Sequence, residues 1–86
     1  MNKTILATIS ALIKDRHSKS DNVNKLLTKQ SHLIKARLGL NLEPKCTSDC
    51  LAVISLVVEG TAADINGLVK KLNSLAGVKA SKTSLI

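Results

Sequence analysis

Two spacings trade places along this chain, and their order leaves few folds open. Residues 5 to 13 alternate, with Ile5, Ala7, Ile9, Ala11 and Ile13 on one face and Leu6, Thr8, Ser10 and Leu12 on the other. A period of two, rich in β-branched residues, predicts a strand. Lys14 to Ser20 is polar and breaks the pattern, which places Ser20 as the N-cap of a helix with Asp21 near the positive end of its dipole. Val23, Leu26, Leu27 and Gln30 then fall on one side of about three helical turns.

A strand closes this first half, and the second half echoes it as strand, helix and strand. His32, Ile34, Ala36, Leu38 and Leu40 alternate against Leu33, Lys35, Arg37 and Gly39, predicting a strand with one greasy and one basic face. Asn41 to Asp49, with Pro44, is a connection. Leu51 to Glu59 is the strongest strand, with Ala52, Ile54, Leu56 and Val58 on one face, and Gly60 ends it. Thr61 followed by Asp64 at the third helical position is a variant of the capping box. Ile65, Leu68, Val69, Leu72 and Leu75 make an amphipathic helix, and Gly77 is its left-handed terminator. Gly67 inside that helix costs about 1 kcal/mol relative to Ala, which close packing against a strand would explain. Val78, Ala80 and Lys82 alternate with Lys79, Ser81 and Thr83 in a last strand.

The order β-α-β-β-α-β predicts an α+β, ferredoxin-like fold: a four-stranded antiparallel sheet in spatial order 4-1-3-2, both helices on one face. Eighty-six residues make one domain, residues 1–86. With 44% hydrophobic residues and no Phe, Tyr or Trp, its core is aliphatic. The uncovered sheet face would carry Leu6, Leu12, Leu33, Val53 and Val57 among Thr8, Ser10, Ser55, Lys35 and Arg37. That is more exposed apolar surface than a monomer usually leaves in water, so a homo-oligomer, dimer or tetramer, is expected.

No Ser-His-Asp order, paired-carboxylate site or phosphate-binding glycine loop is visible, which argues against an enzyme. No apolar run spans a membrane, and the start Met1-Asn2-Lys3-Thr4 has no signal-peptide character. Two cysteines in such a chain predict a reducing, cytoplasmic setting. A net charge of +7 supports nucleic-acid binding through phosphate neutralisation, but the aromatic platforms that stack bases are missing.

An ordered set of segments carries a resemblance. It comprises Asp15-Arg16, Val23-Asn24-Lys25-Leu26-Leu27, Ile34, Arg37-Leu38-Gly39-Leu40, the run Ile54 to Thr61, Asp64-Ile65-Asn66-Gly67-Leu68, Lys71-Leu72 and Gly77-Val78-Lys79. Together they resemble the iron-only hydrogenase system regulators, a group similar in fold to the ACT domain and to the ligand-binding domain of the nickel-responsive repressor. The resemblance covers nearly the whole chain. It implies a non-catalytic regulatory or sensor module that binds a small effector or a metal, with a transcriptional role in a hydrogenase system. The chain departs from the family at Asn41-Leu42-Glu43-Pro44, where the family carries a Pro-aromatic-Arg stretch, and in an insertion from Lys45 to Cys50.

Three groups of residues are candidates for chemistry. Lys14 to Ser20 resembles the ACT-type effector loop, although it lacks that loop's glycine. Asp15, Arg16 and His17 lie there, at a helix N-terminus whose free N–H groups attract carboxylate or phosphate. Arg37, read onto the open face, has the fork geometry to hold an anion or a partner's carboxylate. Cys46 and Cys50, four apart in the hairpin tip, leave three readings open: ordinary loop thiols, a local disulfide or redox pair, or half of a tetrahedral site for a divalent metal. A metal's other ligands would be His17, Asp49 or a second subunit; His17 is expected at the same end of the sheet as the hairpin tip. A ligand-free structural subunit remains an alternative function beside nucleic-acid binding.

Overall fold

The computed structural model describes residues 3–43, 45–47 and 50–86, so Pro44 and Asp49 lie outside the described residues, as do Met1 and Asn2 of the start. Strands β1 (Thr4–Ile13), β2 (Ile34–Asn41), β3 (Ala52–Thr61) and β4 (Val78–Ser84) form one antiparallel sheet in the order β2-β3-β1-β4. Helix α1 (Arg16–Lys29) and helix α2 (Ala62–Ser74) complete the ferredoxin-like α+β arrangement, with a short 3-10 turn at Ser31–Leu33 before β2.

The alternation in β1 and β3 decides where the core lies. Ala7, Ile9, Ala11 and Ile13 meet Ala52, Ile54, Leu56 and Val58 on the buried face, and Val23 and Leu27 of α1 and Ile65, Leu68 and Leu72 of α2 close over them. Both helices therefore cover the same side. The core is aliphatic throughout, and each buried Ile, Leu or Val contributes roughly 1.5–3 kcal/mol by leaving water. Asn73 at the end of α2 pins the edge strand: its amide donates to the Ala80 carbonyl at 3.0 Å and accepts the Ala80 N–H at 2.7 Å. That occupies backbone groups which an edge strand would otherwise offer to another chain.

Several boundaries differ from the sequence reading. Helix α1 begins at Arg16, not after Ser20, so Lys14 to Ser20 is a two-residue turn followed by the first turn of helix. Asp15 is the N-cap in a left-handed conformation (φ 53°, ψ 57°), and its carbonyl accepts the N–H groups of Ser18 and Lys19, both at 3.1 Å. Strand β3 runs through Gly60 to Thr61. Gly60 is there because Leu33 packs over it: a Cβ on Gly60 would lie 2.7 Å from Leu33 Cδ2. Helix α2 starts with the expected Thr61 cap, whose hydroxyl accepts the Asp64 N–H at 3.1 Å. It ends at Ser74, and Gly77 (φ 77°) instead occupies the third position of a turn closed by Val78 N–H to Leu75 O at 3.2 Å. Gly67 has nothing within 4 Å of where its Cβ would stand, so close packing against a strand does not explain it.

The largest departure is in β2. A register shift falls between Ile34, opposite Val58, and Ala36, opposite Val57. One extra residue moves every following side chain to the other face of the sheet. Arg37 and Gly39 thus oppose the helix-side residues Leu56 and Ile54, while Ala36, Leu38 and Leu40 oppose Val57, Ser55 and Val53 on the open face. The expected placement of Arg37 on the open face is corrected by this bulge. Leu33, also expected there, is buried in the core before the strand begins.

Candidate functional site

Two regions carry the features that function can use. The first is the end of the sheet where β1 leads into α1 and the β2–β3 connection comes back. Asn41 opposes Ala52, and Ala52 opposes Ile13, so the connection and the start of α1 share one edge, as the topology predicts. The residue that joins them is Arg16. Its backbone N–H donates to Cys50 O at 2.9 Å. Its guanidinium donates through Nη1 to Leu51 O at 2.9 Å and through Nη2 to Glu43 O at 2.8 Å. The side chain is 6% exposed, and among the described residues it is the buried charged group of the domain. Burying a guanidinium is costly unless its donors are filled, and these carbonyls fill two of them. Arg16 thus clasps both ends of the connection to the first turn of α1.

The other effector candidates are placed differently. Asp15 and His17 flank Arg16 and are exposed. Ser18 Oγ donates to Asp15 Oδ2 at 2.6 Å, which holds the cap carboxylate against the helix start. Arg37 belongs elsewhere: its Nη2 donates to Asn24 Oδ1 of α1, eight residues and about 12 Å of helix rise from Arg16. Arg16 and the cysteine-bearing connection are brought together; Arg37 is not part of that cluster.

Cys46 and Cys50 are joined by a disulfide. Cys50 is 1% exposed and Cys46 is half-buried, with the Cys46 N–H donating to Glu43 O at 3.0 Å. Of the three readings of this pair, the local disulfide is the one present, and while it stands neither sulfur is a thiolate ligand. No group of three or more His, Cys, Asp and Glu side chains converges among the described residues.

The second region is the open sheet face, which the strand register lays out in rows. Leu40, Val53, Leu12 and Lys79 form one row, Leu38, Ser55, Ser10 and Ser81 the next, and Ala36, Val57, Thr8 and Thr83 a third. The half built on β2 and β3 is mainly aliphatic, and the half built on β1 and β4 is rich in hydroxyls. Leu38 is 70% and Leu40 60% exposed. Thr8, Ser10, Ala36, Leu38, Ser55 and Val57 line a shallow depression between the halves. Lys35, at the bulge, pairs with Glu59 at 3.4 Å on the surface.

Sequence reasoning missed the clasp and the bulge. The clasp had a signal: Arg16, His17 and Lys19 crowd the positive end of a helix, where basic residues are disfavoured unless something else holds them. The bulge had none, because alternation continues unbroken on both sides of it.

The fold and its strand order define the class: a ferredoxin-like α+β domain. CPII from Thiomonas intermedia K12, a nitrogen regulatory PII-like protein bound to ADP, AMP and bicarbonate, superposes with a TM-score of 0.50 at 13% identity, covering 98% of this chain and 99% of that one. The chain belongs to the TM1266-like family, described as "Iron-only hydrogenase system regulator, putative", whose profile matches residues 5–83. The uncharacterized protein TM1266 from Thermotoga maritima superposes with a TM-score of 0.86 at 25% identity, covering 98% of this chain and all of that one. An unknown protein from Galdieria sulphuraria gives 0.72 at 15% identity over 96% of this chain and 50% of that one. No curated protein matches.

Proposed function

We propose that residues 1–86 act as one non-catalytic regulatory module that works as a homo-oligomer and responds to a small effector. The exposed aliphatic half of the open sheet face carries this reading. The bulge adds Leu38 and Leu40 to Leu12, Val53 and Val57, on a surface that a soluble domain of this size rarely leaves wet. A second copy of the chain is the partner whose composition matches. At the β4 edge, Asn73 already takes the Ala80 backbone groups, which favours burial of the face over joining at that edge. The family description supports a regulatory role, and the nucleotide-bound PII-like neighbour puts adenine nucleotides among the effectors to try first. An effector at the α1 end of the sheet would meet the exposed Asp15 and His17, with Arg16 holding the loop beside them.

Sedimentation velocity at micromolar concentration tests the assembly. The native chain should run as a dimer or tetramer, and Leu38→Asp and Leu40→Asp should shift it towards monomer while keeping the circular dichroism of the fold. A monomeric native chain would end the proposal. A thermal-shift screen over adenine nucleotides, amino acids and, after reduction, divalent metals tests the effector, since a ligand selective for the folded state raises Tm. A net charge of +7 supports the second reading, nucleic-acid binding; a gel shift that weakens steeply with salt would favour it.

A further inference from the structure

We infer that the Cys46–Cys50 bond is a thiol–disulfide exchange site whose state is passed to the first turn of α1 by Arg16. Three observations converge on it. The two sulfurs are unequal: Cys46 is half-buried and reachable, whereas Cys50 is 1% exposed. The bond closes a loop of only five residues, so it constrains the connection far more than it constrains the unfolded chain as a whole. Finally, the residues around it are the ones Arg16 grips, since Cys50 O accepts the Arg16 N–H, and Glu43 O accepts both the Arg16 guanidinium and the Cys46 N–H.

The chemistry needs a thiol reductant, and a dithiol suffices. One of its thiolates attacks the accessible Cys46 sulfur. The Cys46–Cys50 bond breaks, a mixed disulfide forms on Cys46, and the electron pair leaves with Cys50 as a thiolate that takes up a proton. The second thiol of the reductant then displaces Cys46, which is protonated in turn. Two electrons have passed from the reductant, now a disulfide, to the protein. Oxidised glutathione drives the reverse reaction, ending as two reduced glutathiones. With the bond open, Glu43 and Cys50 are no longer tied through Cys46, and the grip of Arg16 on the connection loosens. The sheet and the helix-side core contain neither sulfur's partner and stay as they are.

The test uses the full native chain in glutathione buffers of graded poise, with free thiols counted by alkylation and mass spectrometry. Reduction should proceed without denaturant, and hydrogen exchange at the Arg16 and Cys46 amides should then quicken on the order of tenfold, the effect of losing one ordinary hydrogen bond. The Ile9 and Leu56 amides should keep their protection. In single variants, the thiol left in Cys50→Ser should form a mixed disulfide with oxidised glutathione on the order of tenfold faster than the one left in Cys46→Ser, following access to the sulfur. Resistance to reduction in the native state overturns the proposal. So do equal rates in the two variants, an unchanged Arg16 amide, or loss of protection throughout the core, which would make the bond a staple for the whole fold.

Discussion

Arg16 shows how one side chain can decide what a loop does. Its guanidinium serves two carbonyls that lie eight residues apart in the chain, Glu43 and Leu51, and its own amide serves a third, Cys50. Arg16→Met removes the donors and leaves the carbonyls short of partners. It should lower stability by about 2–4 kcal/mol, read from the urea midpoint. Arg16→Lys should recover only part of this, because an ammonium lacks the fork that spans both carbonyls. Two glycines should respond oppositely to Ala. Gly67→Ala meets open space in a helix and should stabilise by about 0.5–1 kcal/mol. Gly77→Ala would force a side chain to φ 77° with its Cβ 3.1 Å from Lys14 O, and should destabilise by about 1–2 kcal/mol. Thermal unfolding of the two variants beside the native chain checks both signs.

At the scale of elements, local chemistry was legible where it acts alone. The Thr61 cap and the face assignments of β1 and β3 follow from residues adjacent in the chain, and the structure agrees with each. Thr61→Ala should cost about 1 kcal/mol, because the Asp64 N–H loses its acceptor, and a small fall in the urea midpoint would register it. Helix α1 starts five residues before the sequence pattern places it, because the polar run Lys14 to Ser20 hides its first turn and Ser20 reads as an N-cap. What fixes that turn is tertiary: a carbonyl from position 50 on the Arg16 amide and a left-handed Asp15 that turns the chain sharply out of β1. The face of β2 was misread for a different reason. Alternation assigns residues to one face only while the period of two is unbroken, and the extra residue at the bulge separates Ile34 from Ala36, Leu38 and Leu40. Of the candidate site, the meeting of the β1–α1 turn with the cysteine loop followed from topology, whereas the residue that makes it, Arg16 rather than His17, did not.

The molecule as a whole is one-sided. Its helices hide an aliphatic core on one face of the sheet, and no described helix is long and apolar enough to cross a membrane. On the opposite face the aliphatic side chains, Leu38 and Leu40 among them, are concentrated on β2 and β3. The insertion at Lys35 sets the polarity of this arrangement. Were Lys35 deleted, the edge strand would flip back: Leu38 and Leu40 would turn to the helix side and Arg37 to the open face, and the self-association proposed above should weaken, visible as a smaller sedimentation coefficient. A single surplus backbone unit at the rim thus acts as the hinge between hiding and display.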